Sequence, residues 1–280
     1  MNFKLRIRLA TMLAVTLFAL PLLHTAAQAV DIAGQAVTVV QSATLSNAEG
    51  RVTMADGTEV AMGDQIKTNH NGRVELIFSD ETKLVVGPNS AMVIESYLLR
   101  SDNKANSFTV RALGGSFRFI TGKSEKTAYK IKTPTATIGI RGTSFDMSVT
   151  RRGNTDLILF SGAAEMCNNI SCVTVERQCG LARAPRLEPT RVIRDDKFRD
   201  ARIYTHFPYI LSQEQLDPRF HVAETGCGDG STAAIAPPVK SSSRRSNDDD
   251  PSGISRPDPP SRSRDRNDDQ NESRGGAPRG

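Results

Sequence analysis

Between residues 34 and 179 apolar and polar side chains alternate in short runs of period two. The runs at 37–40, 52–54, 73–78, 83–86 and 92–94 read as strands, followed by 108–110, 116–120 and 129–131. Three more, at 145–149, 156–160 and 172–175, close the series. Alternation is what a strand with one buried face requires, because successive side chains point to opposite sides of a sheet. Turn formers stand between the runs: Asp56-Gly57, Asn71-Gly72, Ser79-Asp80, Gly87-Pro88-Asn89, Gly114-Gly115, Gly153-Asn154 and Cys167-Asn168-Asn169. No window sustains the 3.6-residue period of an amphipathic helix. The pattern predicts an all-β fold, a stack of short antiparallel strands arranged as a β-roll, sandwich or solenoid-like body over residues 30–180.

After Cys179 the alternation ends. Pro185, Pro189, Pro208 and Pro218 interrupt any long element, and only 195–204 and 210–216 have the makings of short helices. A mostly irregular C-terminal arm over 181–230 is expected. Its aromatic residues Phe198, Tyr204, Phe207, Tyr209 and Phe220 predict that it packs back on the β body. A platform for sugar rings is the rarer use of such a cluster.

The two ends change the compartment and the charge. Residues 1–29 have a basic start (Lys4, Arg6, Arg8), an apolar stretch over 9–23 and a small-residue exit at Ala27-Gln28-Ala29. That is the pattern of a signal peptide cleaved after Ala29. The stretch is shorter than the ~20 apolar residues of a spanning helix, and no later segment approaches that length. The mature chain is therefore expected in the periplasm or outside the cell, without a transmembrane segment. Residues 231–280 are mostly Ser, Arg, Asp, Pro, Gly and Asn, too polar to offset the entropy of ordering, and read as a disordered tail. That tail holds nine basic and eight acidic residues, which argues for a solvated spacer over a nucleic-acid-binding arm. Without the signal peptide the balance is 33 basic to 31 acidic residues, so the pI of about 9.1 overstates attraction to anions.

The most distinctive stretch runs from Thr133 to Asp146, TPTATIGIRGTSFD. It offers little chemistry, and its carboxylate, Asp146, has no partner visible in the sequence. Thr133, Pro134, Gly139, Arg141, Gly142, Thr143 and Phe145 instead read as residues that fix a chain path: a strand that turns sharply at Gly139 or Gly142 and re-enters the sheet. Gly142 is expected at positive φ or a close backbone approach. Arg141 is either a donor that ties loop carbonyls together or a contact for a partner, the former being the commoner use.

A family resemblance rests on seven pieces in order. They are Gly63-Asp64-Gln65-Ile66-Lys67-Thr68, the strand from Asn71 to Phe78, a Thr-Lys-Leu strand and Gly87-Pro88-Asn89-Ser90. Gly114-Gly115-Ser116-Phe117-Arg118 with Thr121-Gly122, the 133–145 motif, and a closing hairpin at Ser161-Gly162-Ala163-Ala164 complete it. Across about 45–180 the chain resembles the FecR domain. The resemblance implies an all-β extracytoplasmic module that, in cell-surface signalling regulators, contacts an outer-membrane receptor and signals to a cytoplasmic anti-sigma segment. Here only the 29 residues of the signal peptide precede it, so a free-standing exported FecR-domain protein is expected, with sigma-factor control in doubt.

A search for an active site finds nothing. No HExxH, GxSxG, P-loop or dinucleotide fingerprint occurs, and His70, His206 and His221 are scattered. Asp56-Gly57 and Asp80-Glu81 supply carboxylates for Ca²⁺ or glycosidic chemistry only if they converge, and they sit where hairpin tips belong. No enzyme, metal or cofactor is expected. The four cysteines lie in the exported part, where oxidation is permitted, and allow three pairings. Cys167 and Cys172 flank a four-residue turn, which favours their bridge and leaves Cys179 to clamp Cys227. The functions left are a binding or sensing module for an envelope protein, a structural scaffold of the envelope, or a polysaccharide-binding protein.

Overall fold

A computed structural model describes residues 31–223 and Cys227. The expected signal peptide and the expected disordered tail lie outside the described residues.

The first eight strands are β1 (Ile32–Val40), β2 (Ala43–Asn47), β3 (Gly50–Thr53), β4 (Glu59–Ala61), β5 (Gln65–Thr68), β6 (Arg73–Phe78), β7 (Lys83–Val86) and β8 (Ala91–Leu99). Seven follow: β9 (Ala105–Ile120), β10 (Tyr129–Lys132), β11 (Thr137–Val149), β12 (Thr155–Cys167), β13 (Cys172–Val175), β14 (Leu181–Ala184) and β15 (Arg191–Ile193). All belong to one hydrogen-bonded network. It bends into two layers because β9, β11 and β12 each change neighbours midway. The first layer runs β3-β2-β5-β8-β9-β10-β11-β12-β13, and the second runs β4-β1-β6-β7-β9-β11-β12-β14-β15. Pairing is antiparallel except between β10 and β9.

The core lies between the layers. Phe78 of the second layer meets Tyr97 and Phe108 of the first at 5.7 and 4.7 Å, and Phe119 lies 5.9 Å from Tyr129 and 5.5 Å from Phe145. Edge-to-face and offset contacts at these distances are the favoured ring geometries.

Three expectations change here. The runs at 108–110 and 116–120 are one strand, β9, and Gly114-Gly115 bends it between layers instead of reversing it. In the motif, Gly139 stays in the ladder opposite Lys130 and Glu165, and the sharp turn is replaced by a bulge at Gly142. The expected hairpin at Ser161 to Ala164 lies within β12, and the reversal between β11 and β12 falls at residues 150–154. Glycine mimics a turn in each case because it releases the backbone while the ladder continues. Gly142 has φ +65° and Gly162, across the ladder, has φ +78°; a Cβ on Gly162 would lie 2.0 Å from the Gly142 carbonyl oxygen. The two strands therefore cross between layers at a point where only glycines fit.

The arm follows β15. Asp195 caps helix α1 (Asp196–His206), its carboxylate accepting from the Phe198 amide at 3.1 Å. Pro208 opens α2 (Pro208–Leu211), and two 3₁₀ turns complete the segment, Gln213–Gln215 and Pro218–Phe220. Ile203 and Phe207 pack with Ile158, Phe160 and Leu181, and Tyr209, Leu216 and Phe220 pack with Val85. The arm thus covers the outward face of the second layer, while Phe198 and Tyr204 stay exposed. Disulfides join Cys167 to Cys172 and Cys179 to Cys227, with Cα–Cα distances of 4.0 and 5.5 Å. The first closes the β12–β13 turn. The second ties the arm's far end to the loop before β14.

Candidate functional site

The motif's first half is a hydroxyl-bonded turn. Thr133 Oγ1 accepts from the Ala136 amide at 2.9 Å and from Thr155 Oγ1 at 2.7 Å, while Thr135 Oγ1 donates to the Gly153 carbonyl at 2.7 Å. These bonds tie Thr133-Pro134-Thr135 to the β11–β12 hairpin. The second half is core: Thr143 and Phe145 are buried.

Asp146, which lacks a visible partner in the sequence, has a strong one in space. Arg118 of β9 stands opposite it across the ladder and donates through Nε to Oδ1 (2.7 Å) and through Nη2 to Oδ2 (3.0 Å). The pair faces away from the inter-layer core, and the arm buries it. Arg118 also donates to the Tyr209 carbonyl (2.9 Å), Gln213 Oε1 (3.2 Å) and the Phe220 carbonyl (3.4 Å), and lies 5.2 Å over the Phe160 ring. Burial pushes the Asp146 carboxyl up, and the guanidinium pulls it back only in part.

Two further contacts hold the arm. Asp156 of β12 is fully buried, receives Arg202 of α1, and has Arg183 3.7 Å away. Glu75 of β6 accepts from the Asp217 amide at 3.0 Å and from Arg73 at 2.8 Å. Burial raises the Glu75 carboxyl, and those two donors oppose it. His206, at the end of α1, is half-buried; burial and then the Arg202 charge hold its imidazole below the usual range.

The two acidic turns do not converge. Exposed Asp56 accepts from the Val39 amide at 2.6 Å. Asp80 is buried among the hydroxyls of Thr82, Ser124 and Tyr129 at 2.6–2.9 Å. Both carboxylates complete local backbone and hydroxyl networks. Among the described residues no group of three or more His, Cys, Asp or Glu could hold a metal ion.

The outward face of the first layer is different, because no arm covers it. Ile138 and Ile140 of β11 point into the core, so Thr137, Gly139 and Arg141 lie on the outside. The ladders set Lys130 of β10 opposite Gly139, and Arg111 of β9 opposite Lys132 of β10. Lys67 of β5 shares this face. Glu95 of β8 takes Arg111 and Lys132 (2.7 Å), which together hold its carboxyl low against the opposing effect of burial. Glu165 lies opposite Gly139. The Arg141 side chain is exposed and makes no hydrogen bond or ion pair among the described residues, so it does not tie loop carbonyls. Lys67 and Lys130 are likewise exposed and unpaired among the described residues. The sequence singled out Arg141 but not its neighbours, which belong to strands far apart in the chain.

Residues 64–165 match the family model described as FecR protein. Over these residues the chain matches a FecR domain. Both members of the Arg118–Asp146 pair lie within it, as does the Arg141 face, whereas the arm that covers the pair lies beyond the match. Two crystal structures of a protein described as an anti-sigma factor, from Parabacteroides distasonis ATCC 8503, are each 14% identical, with a TM-score of 0.39. The likeness covers 46% of this chain and 57% of that one, and at that level it carries neither fold nor role across. No curated protein matches the chain. Among the described residues no helix is long and apolar enough to cross a membrane.

Proposed function

We propose that this FecR-domain protein is a non-enzymatic binding or sensing module of the bacterial envelope. The outward face of its first layer takes an acidic segment of a protein partner, with Arg141 at the centre. One observation carries this reading. The arm covers one sheet face, and the face it leaves open carries six cations (Arg51, Lys67, Arg111, Lys130, Lys132 and Arg141) against two carboxylates, Glu95 and Glu165. Complementary charge of this kind steers encounter and fixes register more than it adds affinity. Two disulfides support an oxidising compartment, and the FecR domain supports a signalling role. The test is co-purification of the mature protein from envelope extract, comparing wild type with Arg141→Glu/Lys130→Glu. A partner retained by wild type and lost by the variant, at unchanged melting temperature, agrees with the proposal. Equal recovery from both removes this face from it.

A further inference from the structure

At one end of the two layers lies a cleft of about 440 Å³, within the range that holds small ligands. Arg151 and Arg152, on the β11–β12 hairpin, stand on its rim with Arg186 from the loop after β14. All three are exposed, none makes an ion pair among the described residues, and no carboxylate lines the cleft. Three guanidinium groups around one opening repel one another, and each keeps five donors in a fork that matches carboxylate or phosphate oxygens.

The frame beneath them is fixed. The hairpin closes through Thr150 N to Asn154 O (2.9 Å), Asn154 Oδ1 accepts from the Arg186 amide (3.1 Å), and Thr135 holds Gly153. The motif's Thr133-Pro134-Thr135 turn therefore sets the wall on which the arginines stand. Thr150 also lines the cleft, but its hydroxyl is closed off from it and is not one of the binding groups. Asn89 and Thr135 add polar groups, and Leu113, Pro134 and Val149 add a small apolar patch, but no aromatic ring lines the space for stacking.

We propose that this cleft binds an acidic sugar, a ring bearing a carboxylate or phosphate, with the anion held by Arg151, Arg152 and Arg186 and the hydroxyls met by the exposed Asn89 side-chain amide. Charge takes the place of the missing aromatic platform, so a neutral sugar binds poorly. This site is at the end of the layers and is independent of the partner face around Arg141.

The experiment is a ¹⁵N NMR titration of the mature full-length chain with glucuronic acid, glucose 6-phosphate, glucose and a tetra-aspartate peptide. At least one acidic sugar is expected to shift the Gly153 and Gly115 amides saturably, with glucose bound at least about tenfold more weakly and binding weakened by salt. Which acidic sugar binds tells carboxylate from phosphate. Arg151→Ala/Arg152→Ala/Arg186→Ala is expected to weaken binding by tenfold or more at unchanged melting temperature, and the single Arg186→Ala variant by less. No saturable shift with either acidic sugar, equal affinity for glucose, or full binding by the triple variant overturns the proposal. Tighter binding of the peptide than of both sugars replaces it with an acidic-peptide site.

Discussion

Arg118 and Asp146 stand 28 residues apart in sequence yet opposite each other on β9 and β11, joined by two hydrogen bonds of 2.7 and 3.0 Å and each no more than 2% exposed. The strands alone do not bury this pair. The arm does, by laying the Tyr209 and Phe220 carbonyls and the Gln213 amide oxygen against the same guanidinium. One cation thus links the FecR domain to the segment beyond it.

Removing Arg118 strands a buried carboxylate and three arm acceptors. Arg118→Ala is expected to cost about 3–5 kcal/mol of unfolding free energy, the range for a broken buried pair. A double-mutant cycle with Asp146→Asn, read by urea denaturation, is expected to show strong coupling. Additivity of the two changes would deny the link.

The disulfides make separable contributions. Loop entropy gives about 2 kcal/mol for Cys167–Cys172 and about 4 kcal/mol for Cys179–Cys227, whose partners are 48 residues apart. Cys227→Ser/Cys179→Ser is expected to lower stability more than Cys167→Ser/Cys172→Ser and to expose the arm to limited proteolysis. Non-reducing peptide mapping that found free thiols, or a Cys172–Cys179 bridge, would contradict the pairing.

At the layer crossing, Gly162→Ala is expected to be worse than Gly142→Ala. Positive φ alone costs a side chain roughly 1–2 kcal/mol at either site. At Gly162 the new Cβ also meets a backbone oxygen, whereas at Gly142 it meets the Lys126 side chain at 2.9 Å, which can move. Thermal melts of the two variants give the order directly.

Stability is expected to fall as pH drops below about 6.5, in part through His206. Its folded value lies below the ordinary 6.5, first through burial and then through Arg202. The unfolded chain therefore takes up the proton first, so the contribution is complete above pH 6.5 and is lost as pH falls through the folded value. Calorimetry at pH 7.5 and 5.5 is expected to show a smaller drop for His206→Gln than for wild type. Equal drops would remove His206 from the account.

Much of the β body was legible. The runs at 73–78, 83–86 and 172–175 coincide with β6, β7 and β13, because their alternation is bounded by turn residues. β4 and β15 have three residues each and β5 holds a single apolar residue, Ile66, so no period registers in them. β9, β11 and β12 read as fragments because glycine at a layer crossing looks like glycine at a turn. Arg118 and Asp146 fall on the polar side of their alternating strands, which reads as solvent, and only the distant arm reverses that. The Arg141 face was unreadable as a surface for another reason: local pattern does not give strand order, and the parallel pairing of β10 with β9 sets the Lys132–Arg111 neighbour relation.

The central claim is that partners meet the open face of the first layer and not the arm. A photo-crosslinking residue placed at exposed position 137, on the same face as Arg141, and separately at exposed position 204 on α1, tests it in envelope extract. Crosslinked protein at 137 that is absent at 204, and that disappears when Lys130→Glu is added, is the predicted result. Equal crosslinking at both positions, or crosslinking at 204 alone, would contradict the account.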